Sequence, residues 1–114
     1  MKKSKGFTLI ELLVVIAIIG LLSTLAVVAL GSARQKARDA KRLSDIKQIQ
    51  TALELYYTDN SSYPTQATIT LGSANFACLG SAGFTTTGCA NAYMQQVPTN
   101  PTPSGADYVY NSAD

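Results

Sequence analysis

The chain has 114 residues, nine of them basic and seven acidic, with a net charge of +2, two cysteines and no histidine. That is one domain's worth of material at most, and it can supply neither a closed Cys/His zinc site nor a Ser-His-Asp or Cys-His catalytic group. Every charge except Asp107 and Asp114 lies within residues 1–59, which argues against a basic nucleic-acid module; the small net charge argues against an acidic disordered tail, and the composition argues against an enzyme.

A short basic head, Met1-Lys2-Lys3-Ser4-Lys5-Gly6, precedes the apolar run FTLIELLVVIAIIGLLSTLAVVAL at residues 7–30. As a helix this run is about 36 Å long, against about 30 Å for a bilayer's hydrocarbon core. It is apolar on all sides, and the rest of the chain is too small to surround it. A transmembrane helix is therefore predicted. Secretory signals share the basic head, but this run is longer than a signal's core and no Ala-x-Ala cleavage site follows it. Glu11 is the odd residue. A carboxylate at mid-membrane costs about 2.5–3.5 kcal/mol on insertion scales, and less near the edge. It either marks the membrane edge or awaits a cation. No Lys or Arg lies between Lys5 and Arg34, so that cation must be a chain terminus, another molecule or a leader lysine.

Residues 34–57 contain no Gly or Pro, and Ala37, Ala40, Leu43, Ile46, Ile49, Leu53 and Tyr56 recur at helical spacing. The helix is predicted to continue from the membrane segment, giving about 76 Å from Phe7 to Tyr57. Gly20 and Gly31 are places for a bend or for close helix packing. Asp39 with Arg42, and Arg42 with Asp45, stand three apart and are expected to pair weakly on the outer face. Arg34, Lys36, Arg38, Lys41 and Arg42 form a basic cluster. It reads as a solvated face first, as a lipid-headgroup contact second, and poorly as a nucleic-acid site, since no stacking aromatics accompany it. The positive-inside count, five cations after the run against three before, favours a cytoplasmic C-terminal part.

Thr58 to Ser62 is a run of turn formers, and Tyr63-Pro64 forces extension. Residues 68–71 and 108–110 alternate like short strands, Ala92 to Val97 suits a helical turn, and Pro98, Pro101 and Pro103 make a loop. Residues 58–114 have few large aliphatics and need the helix stripe as their core. Cys78 and Cys89, in a small exported head, read as one disulfide; free thiols suit only a cytoplasmic head. Asp107, Asn111 and Asp114 are weak candidates for Ca²⁺, because scattered Asx residues are more often turn formers. No other cofactor is expected.

Lys5-Gly6-Phe7-Thr8-Leu9-Ile10-Glu11, followed by the apolar run, resembles the prepilin signal of the type IV pilin and type II secretion pseudopilin family. Asp45-Ile46 through Tyr56, then Asp59-Asn60-Ser61-Ser62-Tyr63-Pro64-Thr65, resembles the helix end and turn of the major pseudopilins. Tyr93 to Pro101 and Tyr108-Val109-Tyr110 resemble their later Tyr…Pro-x-Asp-Pro…Tyr-x-Tyr stretch, with Asn100 where Asp is usual. The membrane helix lacks the family's frequent Pro, and the Cys pair at 78 and 89 replaces a Gln-Gly-Leu segment.

The resemblance implies an α+β pilin fold: a leader at 1–6, a transmembrane and filament-core helix at 7–30, its amphipathic half at 31–57, and a small head of loops and short antiparallel strands at 58–114. It implies cleavage by a prepilin peptidase between Gly6 and Phe7, N-methylation of Phe7, and an assembly role for Glu11 toward a neighbour's N-terminal amine. The partners it implies are copies of the chain in a homopolymer filament, an assembly ATPase, a membrane platform protein and the lipid membrane. The chain would cross the cytoplasmic (inner) membrane once, N-terminus inside, with its head in a periplasmic or extracellular filament. This orientation overrules the positive-inside count. The expected function is structural, a type II secretion pseudopilin acting in protein export. The alternatives are a surface type IV pilin for adhesion, twitching or DNA uptake, and a non-polymerising, membrane-anchored binding domain.

Overall fold

The computed structural model describes residues 5–86 and 88–112; most of the leader, and Asp114, lie outside them. One helix, α1, spans Leu9–Asn60 and passes through Gly20 and Gly31 without a break. It starts later than Phe7 because Thr8 takes the N-cap position. It also runs past Tyr57, so the turn expected from Thr58 begins only at Ser61. There the backbone becomes left-handed (φ 56°) and the Ser61 N–H donates to the Tyr57 carbonyl at 2.7 Å. The Asn60 side-chain amide donates to the Tyr56 carbonyl at 2.9 Å, satisfying one of the orphan acceptors at the helix end.

The chain divides into two compact units, Met1–Ala37 and Arg38–Asp114. In the first, every described residue is exposed, and α1 is long and apolar enough here to cross a membrane. Helical hydrogen bonds satisfy its backbone, which is the condition for placing such a segment in hydrocarbon.

In the second unit, Ile49 and Ala52 of α1 meet Ile69, Leu71, Leu79, Phe84 and Val97 in a single core, flanked by Leu53, Tyr56, Tyr108 and Tyr110. The head does use the helix as its core wall, as its shortage of large aliphatics requires. The buried face, however, is narrower than the predicted stripe. Leu43 and Ile46 are 61% and 40% exposed, and Ala37 and Ala40 are also exposed. The buried positions are Asp45, Ile49 and Ala52. Three- and four-residue steps drift around a helix, and the head covers only part of that arc.

Among the described residues, four short strands form two antiparallel pairs. β1 (Ile69–Thr70) pairs with β4 (Val109–Tyr110), Ile69 opposite Tyr110 and Thr70 opposite Val109. These are the strands that the alternation predicted, trimmed at their ends. β2 (Cys78–Gly80) and β3 (Gly83–Thr85) make a hairpin with Leu79 opposite Phe84. Gly83 takes φ 93°, and a Cβ on Gly80 would stand 2.8 Å from the Ala90 carbonyl oxygen, so both positions demand glycine. The helical turn expected at Ala92 to Val97 is not formed. Met94 instead bridges to Leu79, whose N–H donates to the Met94 carbonyl at 2.9 Å and whose carbonyl accepts from the Tyr93 N–H at 2.8 Å. The free edge of β2 captures those backbone groups. Cys78 and Cys89 are joined in a disulfide with Cα atoms 6.2 Å apart.

Candidate assembly site

The segment Lys5 to Thr8 is non-helical and exposed, with Phe7 94% exposed. The Gly6–Phe7 bond, at which the resemblance implies cleavage, lies in this open stretch, and exposed, irregular backbone is what proteolysis requires. Immediately after it, Thr8 and Glu11 cap α1 reciprocally. The Thr8 N–H donates to Glu11 Oε2 at 3.1 Å, and the Glu11 N–H donates to Thr8 Oγ1 at 3.3 Å. This is the Ser/Thr-x-x-Glu capping box, and it also sets a carboxylate against the positive end of the helix dipole. The Thr8-x-x-Glu11 spacing in the sequence is the signal for this cap.

The cap does not exhaust the carboxylate. Among the described residues, Glu11 has no ion-pair partner, and Oε1 has no hydrogen bond. A carboxylate offers about four lone-pair sites, so one oxygen can hold the cap while the other accepts a cation. Phe7, Leu12 and Val15 flank Glu11 on an exposed, apolar stretch of the chain.

In the head, two charged residues of α1 do structural work that their spacing did not reveal. Asp45 was expected on the outer face with Arg42. It is 4% exposed, and its Oδ2 accepts from Lys41 Nζ at 3.0 Å and from the Tyr108 hydroxyl at 3.0 Å. Burial, followed by the hydrogen bond and charge of Asp45, pushes the Tyr108 phenol up to about 12. Arg42 does pair with Asp39, at 2.6 Å. It also donates from Nε to Asn100 Oδ1 at 2.6 Å, and from Nη2 to the carbonyls of Pro101, at 3.2 Å, and Ser104. One guanidinium thus ties the proline-rich loop to the helix. At the helix end, the Tyr93 hydroxyl donates to Asp59 Oδ2 at 2.7 Å, and that bond raises the phenol's pKa.

Of the calcium candidates, two lie among the described residues. Asp107 and Asn111 are exposed, Asp114 is outside the described residues, and no group of three or more His, Cys, Asp or Glu gathers among the described residues.

Comparison with known proteins gives two family matches. Residues 1–27 match the prokaryotic N-terminal methylation motif, and residues 29–114 match type II secretion system protein G. The type II secretion system core protein G of Escherichia coli K12 is 38% identical over 109 residues, covering 94% of this chain and 71% of that protein. The Klebsiella pneumoniae core protein G is 37% identical over 110 residues, covering 95% and 74%. The Aeromonas hydrophila protein is 44% identical over 64 residues, covering 56% and 45%. No solved structure matches the chain.

Proposed function

The chain belongs to the type II secretion system protein G family, and on that premise we propose how its helix start brings it into a filament. It is a pseudopilin, a structural subunit anchored by its apolar N-terminal helix. The protein G match favours this over a surface pilin or a non-polymerising binding domain.

In our reading, a prepilin peptidase cuts between Gly6 and Phe7 and methylates the new amine of Phe7. Loss of Lys2, Lys3 and Lys5 takes the net side-chain charge from +2 to −1. The new amine then pairs with Glu11 of a neighbouring copy. An α-amino group has a pKa of about 7.7–8.0 in water, and a nearby anion keeps it charged. The chain crosses the inner membrane with its N-terminus inside and its head outside, where a disulfide persists. An assembly ATPase and a membrane platform protein drive the polymerisation. The observation that carries the reading is the Glu11 carboxylate, held by its cap beside the cleavage site with one oxygen unengaged.

The capping box supplies a discriminating test. Gln also serves at this cap position, so Glu11→Gln keeps the cap and removes the charge. Glu11→Val removes the charge and the carboxylate's half of the cap, and eases insertion. Both variants should insert and yield a chain beginning at Phe7 by mass spectrometry, yet enter sheared filaments poorly. Thr8→Ala, which weakens the cap and keeps the charge, should assemble well. Normal assembly by both Glu11 variants would overturn the recruitment mechanism.

A further inference from the structure

The two flanks of the head differ in kind. Asp45, Ile49 and Ala52 mark the face of α1 that the head covers. At 100° per residue, Ser44, Gln48, Thr51 and Leu55 lie about 60–120° to one side of Asp45, and Gln50 and Leu53 about 80–140° to the other. On the first flank, Leu43, Lys47, Thr51 and Leu55 form a groove with Tyr93 and Met94 of the head. Leu43 and Leu55 are 61% and 52% exposed there. The second flank carries β4, since Tyr110, Asn111 and Ser112 line a cleft with Gln50 and Leu53.

Exposure alternates into β4: Asp107 and Val109 are exposed, Tyr108 and Tyr110 half-buried. Tyr110 packs on Phe84, ring centroids 5.1 Å apart, so Val109 faces outward with Asp107 beside it at the strand period. The charges sharpen the contrast between the flanks. Lys41, Arg42, Asp45 and Asp59 are engaged within the subunit. Lys47 and Asp107 have neither an ion pair nor a side-chain hydrogen bond among the described residues. Each copy thus carries an apolar groove with an unpaired cation on one flank, and an apolar ridge with an unpaired anion on the other.

We propose that the Asp107–Val109 ridge of one copy seats in the groove between α1 and Tyr93–Met94 of the next, with Val109 on the groove's apolar lining and Asp107 paired with Lys47. The match is one of charge and of apolar surface together, and it uses two different surfaces of the same chain. The contact is therefore heterologous. A copy that offers its ridge to one neighbour keeps its groove open for another, so the contact repeats instead of closing as a pair. It rests on the filament reading above and adds to it the head surfaces through which subunits meet.

The test uses the full chain in cells that assemble it. Lys47→Glu and Asp107→Lys should each cut the processed subunit recovered in sheared filaments by at least about fivefold, because like charges then face each other across the contact. The double swap should return to within about twofold of wild type. Neither side chain has a partner inside the subunit, so the head's denaturant melt should stay that of wild type in all three. Co-expressed Thr51→Cys and Val109→Cys chains, treated with a short bismaleimide, should give mixed dimers in excess of either homodimer. A chain carrying both substitutions should give a ladder of trimers and longer products. Cys78 and Cys89 are already paired and leave no competing thiol. Wild-type assembly by both single swaps, a double swap no better than the singles, cross-linking of the doubly substituted chain that stops at dimers, or capture of a different protein in the groove would overturn the contact. If Glu11→Gln is meanwhile defective, the filament reading stands and the head contact alone falls; absence of filaments from wild-type cells would overturn both.

Discussion

Between Leu9 and Ala37, α1 exposes every residue, whereas between Arg38 and Asn60 it buries Asp45, Ile49 and Ala52 beneath a head. The hydrogen-bonded backbone is the same in both stretches. In the first, side chains such as Leu22 and Val28 gain nothing from the subunit and must be satisfied by lipid or by other copies. In the second, a modest face is committed within the subunit. Stability and assembly are thereby separated along one element: mutations in the upper stretch should be felt by the fold, and mutations in the lower stretch by the environment.

The largest effect should come from the core. Phe84 is 1% exposed, and Phe84→Ala should cost about 3–5 kcal/mol. Leu22, 58% exposed, should leave head unfolding unchanged when replaced by Ala. Denaturant melts of the detergent-solubilised chain check both, and an equal loss in the two variants would erase the contrast. Replacing Cys78 and Cys89 together by Ser should cost about 3 kcal/mol, for the loop that the disulfide closes, again read from the head's melt. Arg42→Gln should follow, with a loss of about 2 kcal/mol, since charge-assisted hydrogen bonds are stronger than neutral ones. Faster proteolysis confined to residues 100–105 would show that the loss is local to the tethered loop.

The smallest effect is confined to alkaline solution. The Tyr108 phenol, raised to about 12 in the folded chain, ionises near 10 when unfolded. Below pH 10 both states hold the proton, and the contribution is fully present. As pH rises from 10 to 12 the unfolded phenol ionises first, so stability falls across this window. Tyr108→Phe should flatten that fall relative to wild type in melts at a series of pH values.

Much of this was legible in advance. The apolar run and the helical stripe fixed α1, the alternation at 68–71 and 108–110 located β1 and β4, and the ordered motif from Lys5 to Glu11 pointed to the family. The rest was not legible, for physical reasons. The β2–β3 hairpin has only Leu79 and Phe84 as large apolar residues between glycines and threonines, too short a run for a period of two to stand out. Asp45 reads as a surface charge, and its burial depends on a tyrosine 63 residues later supplying a hydrogen bond. Arg42 likewise looks like one member of a basic cluster, because its carbonyl acceptors are backbone groups of a distant loop and carry no sequence signature. At the helix start, Thr8 and Glu11 were both in view, but a local cap and a recruiting charge are written by the same residue.

The wiring of the two strand pairs bears on the order in which the head matures. The β2–β3 hairpin joins near neighbours, whereas β1 and β4 bring together positions about forty residues apart, a closure whose entropy must be met before its contacts form. The disulfide spans a separation of 11 and lies wholly inside that larger loop. Oxidation therefore shortens the open loop only slightly, changing its closure cost by a few tenths of a kcal/mol, about what the logarithmic dependence gives. An emerging chain can be oxidised at its hairpin while β4 is still undocked, and the thiol chemistry and the final closure proceed as separate steps.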